Sequence, residues 1–419
     1  MPTAAHAANP AVRWTIIGLL SVGMIIAYAS RSNLSVALVA PEFIRAFGLS
    51  NTDRGVLNSA FFWAYTALQI PAGWVVDRYG VKWPYALSFL FWCVAAAATS
   101  LAGTVASLIA LRIMLGIGES IVAPASYKWI RMNFDERQRG LAVGLYMTGT
   151  KIGPAIGTPL AAWLIAVYDW RMMFILIGLG GLVWLIPWVS LVKDDRRPAS
   201  APAGRRKATV PEIPFGRVLA SPVIWGTIVA SFCYMYFVYF CMTWMPAYFT
   251  EARHLSLAKM GLFTFFSFGG MAIVATLAGW GADALIRRGG SPVTVRKSFT
   301  VAGFAVACTE LLGAQATTES AALFFAVVSL SGLGLATANY WALTQTLVPA
   351  STIGRVSGIQ NAACSCAGIV APILSGWLLE RTGGYVAPMV AVLVALVVGV
   401  LCYLFLIKEQ YAPRMTGAQ

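Results

Sequence analysis

Few residues in this chain have types and spacings that could do chemistry, because most of it is apolar. Arg31 sits in "GMIIAYASRSNLSVALVAPEF" (23–43). Arg112, Glu119 and Lys128 lie in "RIMLGIGESIVAPASYKW" (112–129), and Lys151 lies in "GTKIGPAIGTP" (149–159). An ionised side chain at the centre of a bilayer costs about 2.5–3.5 kcal/mol on insertion scales, so a charge kept in such a run is a candidate for binding or proton transfer. Arg31 has more than two turns of apolar helix on either side, and its planar guanidinium matches a carboxylate through two hydrogen bonds. Arg112 and Glu119, seven residues apart, share a helix face but stand roughly 10 Å apart along the axis. Each therefore needs a partner on another helix, or water. Desolvation favours the neutral form of Glu119 and a nearby arginine favours its carboxylate, so the residue could take up and release a proton. The alternative is a permanent structural ion pair between Glu119 and Arg31.

Other charges have simpler readings. Lys128 lies near the end of its run, where its stem can snorkel to the interface. Glu310, followed by "GAQATTE", reads as structural and close to the outer surface. In Lys151's stretch, Gly149, Gly153 and Gly157 recur every four residues as a small-residue stripe for close packing, and Lys151 points about 200° away from Gly149. It either faces a cavity or pairs with an acid.

The elements that must position these residues are long apolar helices. The 419 residues are 59% hydrophobic and 11% charged, with a mean hydropathy of +0.74, outside the balance of a soluble globular protein. Runs of about 20 residues suit helices crossing roughly 30 Å of hydrocarbon, whereas a β-barrel would alternate over about ten. The expected class is an all-α polytopic membrane protein with twelve spans, starting near Trp14, Asn51, Pro84, Val105, Gly140, Arg171, Pro222, Lys259, Ser298, Ala321, Arg355 and Tyr385. The first run is too long for a cleaved signal peptide and reads as a retained span.

The net charge of +14 would suggest nucleic acid in a soluble protein. Here its placement argues otherwise. With both ends cytoplasmic, 20 of the 30 basic residues fall in inside loops, 6 in outside loops and 4 within spans, as the positive-inside rule requires. The polar stretch "KDDRRPASAPAGRRKATVPEIPFGR" (193–217) reads as a cytoplasmic linker between six-helix bundles over 1–192 and 218–419. A repeat supports the division. Leu49-Ser50 is followed by Gly55, Gly73 and Asp77, and Leu255-Ser256 by Gly261, Gly279 and Asp283, at the same offsets and 206 residues apart.

"GWVVDRYGVK" (73–82) and "GWGADALIRRGG" (279–290) resemble the paired cytoplasmic signature of the major facilitator superfamily. The resemblance runs from about Trp14 to Leu406 and implies two six-helix bundles, with Gly73 allowing close helix approach and Asp77, Arg78, Asp283 and Arg287 serving as a cytoplasmic latch. Within that superfamily, "YASRSNLSVAL", "FFWAYTALQIPAG" and the stretch from Arg112 to Trp129 resemble the anion:cation symporter family, which includes hexuronate, aldonate and tartrate carriers. The resemblance implies Arg31 as the substrate-carboxylate anchor and Glu119, with Arg112, in proton coupling. It implies Thr150, Trp341 and Asn361 as substrate contacts, to which Tyr28, Tyr65 and Lys151 are added from helix spacing. Tyr234, Tyr236 and Tyr239 are weaker candidates. Many members carry an aspartate before the span 1 arginine, where this chain has Ser30, which puts a second proton site in doubt.

The function expected is proton symport that imports an organic carboxylate, such as a hexuronate or aldonate, across the cell (inner) membrane. The alternatives are a dicarboxylate carrier, tartrate-like or phthalate-like, and a proton-coupled exporter. Three intramembrane cations against one acid disfavour export of cationic drugs. An enzyme is not expected, since the histidines are His6 and His254 and no nucleophile or metal constellation accompanies them. The expected partners are the small anion, the proton and lipid, with no cofactor, metal or nucleic acid, and the chain is expected to be a monomer.

Overall fold

The structure, a computed structural model, describes residues 10–193, 215–348 and 352–412. The expected linker falls largely outside the described residues, as does His6. Among the described residues every regular element is helical, which satisfies backbone groups where no water is present. Ten helices among the described residues are long and apolar enough to cross a membrane, from Ala11–Ala37 to Val386–Leu406. The other two expected spans are present as broken helices. Asn51–Ala67 is followed by Gln69–Tyr79, and Pro292–Ala307 by Glu310–Gln315.

Proline chemistry accounts for the first break. Pro71 lacks an N–H, and its ring meets the carbonyl four residues earlier, on Ala67, where the helix stops. Its counterpart in the repeat, 206 residues on, is Leu277, and helix Leu257–Arg287 runs unbroken. The same relation links Pro124 to Ser120, which separates Val105–Glu119 from Val122–Asn133. Pro154 and Pro159 leave helix Glu136–Val167 continuous, so a proline permits a break without forcing one.

The chain divides into two compact units. One holds the chain to Leu49 with Val56–Ala203 and Leu255–Leu262; the other holds Ser50–Gly55, Gly204–His254 and the chain from Phe263. The two short segments that depart from contiguous halves, 50–55 and 255–262, are counterparts in the repeat.

In the first unit, helix Pro10–Ala37 lies along Glu136–Val167. The glycine stripe makes this possible: a Cβ on Gly149 would fall 2.8 Å from Met24 Cβ, one on Gly153 2.5 Å from Tyr28 Cβ, and one on Gly157 2.6 Å from Ala29 Cβ. Trp184, stacked on Phe89 at 4.2 Å, donates its indole N–H to the Leu19 carbonyl at 2.7 Å. In the second unit, Pro222–Ala247 lies along Ile353–Thr382, and Pro292–Ala307 along Glu319–Leu347. Pro222–Ala247 is apolar and buried around most of its circumference, as a helix surrounded by others must be.

Gly73, by contrast, has no atom within 4 Å of an added Cβ, so the close approach expected of it is not made here. Gly153→Ala is expected to lower the thermal unfolding midpoint in detergent, overpacking costing about 1–3 kcal/mol. Gly73→Ala is expected to leave it unchanged or raise it. Equal midpoints for the two variants would refute the packing role of the stripe.

Candidate functional site

Helix Val105–Glu119 starts at a sharp cap: Thr104 accepts from the Ser107 N–H at 3.1 Å, and Ser107 Oγ accepts from the Thr104 N–H at 3.1 Å. Its last residue is Glu119, where the proline-linked break exposes a helix C-terminus inside the span. A carboxylate is disfavoured there by the helix dipole. Ser88 Oγ donates to the Gly118 carbonyl and ties this end to helix Lys82–Ala98.

The offsetting charge comes from helix Pro10–Ala37. Arg31 Nε donates to Glu119 Oε2 at 2.6 Å, and both residues are buried, at 4% and 0% exposure. The contact uses one of the five N–H groups a guanidinium carries. Rings enclose the rest of the group: Arg31 Cζ lies 4.3 Å from the Tyr28 ring centroid, 4.6 Å from Phe61 and 4.8 Å from Tyr65. Desolvated contacts of this kind are worth up to about 2 kcal/mol each. Arg112, also buried, donates through Nη2 to the Arg31 carbonyl at 3.2 Å. One turn along from Arg31, Ser35 Oγ donates to Asn58 Oδ1 at 3.2 Å and sets the register of Pro10–Ala37 against Asn51–Ala67. Glu119 Oε1 is buried and has no hydrogen-bond partner among the described residues.

Arg31, Tyr28, Tyr65, Arg112 and Glu119 are therefore brought together. Phe61 was not anticipated, although it stands one helical turn before Tyr65 and stacks on it at 5.2 Å. Thr150 and Lys151 are buried in the same unit, but Thr150 Oγ1 donates back to the Met147 carbonyl at 2.8 Å, a bond within its own helix. Trp341 is half-buried beside Tyr340 in the second unit. Asn361, implied by the resemblance as a substrate contact, is exposed. Its neighbour Gln360 takes the interior position, fully buried, and donates to Ser231 Oγ at 2.6 Å and Thr344 Oγ1 at 3.2 Å. A boundary shift of one residue moves a side chain about 100° around a helix, enough to exchange the two.

Residues 20–372 match the Major Facilitator Superfamily. The chain belongs to that superfamily. It is 29% identical to a D-galactonate transporter of Escherichia coli, over 96% of this chain and 98% of that protein. It is 30% identical to the hexuronate transporter of Bacillus subtilis over 88% and 89%, and 30% identical to a probable sulfoacetate transporter of Cupriavidus necator over 94% of each. The inward-facing, unoccupied structure of a bacterial homologue of the human lysosomal transporter Spinster shares the fold, with a TM-score of 0.79 at 15% identity over 98% of this chain and all of that one. The protein is thus a multi-pass membrane transporter of the major facilitator fold and not an enzyme.

Among the described residues, the superfamily signature residues have partners within their own units. Asp77 pairs with Lys128 at 3.3 Å, and Lys128 also donates to the Val76 carbonyl at 2.7 Å. Lys128 thus reaches an acid that is itself largely exposed. Arg78 lies over the rings of Trp74 and Tyr79 at 5.3 and 5.6 Å. In the second copy Asp283 pairs with Arg296 at 3.0 Å.

Removing one partner of a buried pair strands the other charge, at a cost of about 3–5 kcal/mol. Glu119→Ala is expected to lower the detergent unfolding midpoint sharply, and Glu119→Ala combined with Arg31→Leu is expected to recover much of the loss. Additive losses in the double variant would mean that the two side chains do not depend on each other.

Proposed function

We propose that this carrier imports an organic carboxylate, a sugar acid such as a hexuronate or aldonate, in symport with protons. The observation that carries this reading is the guanidinium of Arg31, flanked by three rings and joined through Nε to the buried carboxyl of Glu119. A protonated Glu119 no longer needs that charge, and Arg31 can then clasp the substrate carboxylate. Loss of the Glu119 proton after release restores the pair. Coupling follows because substrate and carboxylate compete for one cation, so that each proton state of Glu119 has its own substrate affinity. The names of the relatives, D-galactonate and hexuronate transporters, favour the same substrate class.

Tyr28, Tyr65, Thr150, Trp341 and Asn361 are proposed substrate contacts, the last three resting on resemblance alone. Arg112, bonded to the Arg31 carbonyl, is proposed to hold the anchor and keep the region positive during exchange. Asp77 and Asp283 are proposed latch acids, each with its cation in its own unit. The distribution of basic residues favours a cell inner membrane location with both ends cytoplasmic. A monomer suffices for this cycle. Lys151, a further buried cation at 8% exposure, favours as second reading a dicarboxylate of the tartrate or aromatic type.

Uptake into proteoliposomes under an imposed pH gradient tests the reading across uronates, aldonates, tartrate and phthalate. Acid-driven uptake of a sugar acid is expected; no acid-driven uptake of any carboxylate would sink it. Arg31→Lys is expected to weaken substrate binding roughly 10–100-fold, since a charge-assisted hydrogen bond is worth about 1.5–3 kcal/mol. Unchanged affinity would demote Arg31 to a structural charge. Glu119→Gln is expected to keep substrate exchange while losing proton-driven accumulation, and accumulation that persists would reject Glu119 as the coupling acid. Lys151→Ala is expected to reduce tartrate uptake more than uronate uptake if the second reading holds.

A further inference from the structure

Two carboxyl-bearing side chains are buried among the described residues, Glu119 in the first unit and Glu310 in the second. Their surroundings differ in kind. Glu119 faces Arg31. Glu310, 2% exposed, has no cation within 4 Å among the described residues, and its side chain meets the hydroxyl of Ser329. Glu310 is therefore enclosed within the second unit. Glu310 opens the short helix Glu310–Gln315, just past the break at Cys308 and Thr309 in the same span.

The hydroxyl of Ser329 carries one hydrogen but contacts two oxygens, Glu310 Oε2 and the Ala326 carbonyl at 3.1 Å. A carbonyl can only accept. When Ser329 donates to Ala326, its contact with Glu310 is completed by a proton on the carboxyl. When Glu310 is a carboxylate, the hydroxyl turns and donates to it instead. Ser329 thus gives either state a partner. Without a cation, the charged state is the costly one in a buried position.

The neighbours leave that balance to Ser329. Helix Val386–Leu401, packed against Glu310–Gln315, carries no titratable side chain. From the helix beginning at Pro222 and its continuation, Cys241 and Tyr248 are the titratable groups that interact with Glu310. Arg253 is engaged at the other end of the short helix, donating to the carbonyls of Gly313, Ala314 and Ala316 and to the Tyr248 hydroxyl.

We propose that Glu310 is a second proton-binding site of the carrier, holding a proton as a neutral acid against Ser329 and passing it to water once in each transport cycle. It supplies the second acid that Ser30 does not. The site rests on the proton-coupled reading above for its role in the cycle, but not for its protonation.

Infrared difference spectra between acid and alkaline buffer, on the full chain in lipid without substrate, test the protonation directly. The carboxylic acid C=O region of the wild type is expected to contain a component that is missing from Glu310→Gln, while the components of Glu119 and of the surface acids remain; a C=O region unchanged in Glu310→Gln overturns the proposal. If Glu310→Gln does not fold, Ser329→Ala decides, because the band must move when its hydrogen-bond partner is lost. An unmoved band overturns the assignment. In proteoliposomes the proton-to-substrate ratio is expected to fall by one in Glu310→Gln with substrate counterflow retained, and an unchanged ratio overturns the role in transport. Should the wild type carry no carboxylate at all, the proton-symport reading fails and with it the role of Glu310 in the cycle, while the infrared result still decides the proton site.

Discussion

The buried contact between Arg31 and Glu119 is the constraint around which the first unit is organised. Two charges removed from water cost several kcal/mol each, and their attraction offsets this only when the geometry is close and other groups complete the solvation. The structure supplies those groups sparingly. Three aromatic faces surround the guanidinium, while Glu119 Oε1 is left without a partner among the described residues. A pair with one short bond and one unfilled oxygen is stable enough to form.

Placing that pair needs backbones that approach closely at one point and break at another. The glycine stripe lets helix Glu136–Val167 lie against the backbone of Pro10–Ala37, with Gly153 at the Cβ of Tyr28, the residue whose ring flanks Arg31. The proline breaks at Leu68 and after Glu119 act on the two helices that face the arginine from the other side. Glycine and proline here do the positioning, and the charged residues do the chemistry.

The two units treat a buried carboxyl differently. In one, the carboxyl is held by the guanidinium of Arg31. In the other, a hydroxyl with two possible acceptors accommodates either protonation state. Both arrangements avoid an uncompensated charge in a low-dielectric interior, but only the first sets a cation against the carboxyl.

Much was legible in the sequence because it depends on local rules. Hydropathy and run length required membrane helices, the repeat at 206 residues marked two related halves, and a charge deep in an apolar run identified Arg31 and Glu119 as residues needing partners. Helical periodicity placed Tyr28 beside Arg31, and the glycine spacing announced a close contact. What the sequence could not decide was which of several elements meet in space and at what rotation. That Glu119 pairs with Arg31 while Arg112 goes to a backbone carbonyl, that Gln360 and not Asn361 turns inward, that Lys128 and Arg296 take Asp77 and Asp283, and that Glu310 is buried against Ser329 all depend on helix rotation and long-range approach. A residue's period along its own helix is set locally, whereas its partner is chosen by packing among helices far apart in the chain.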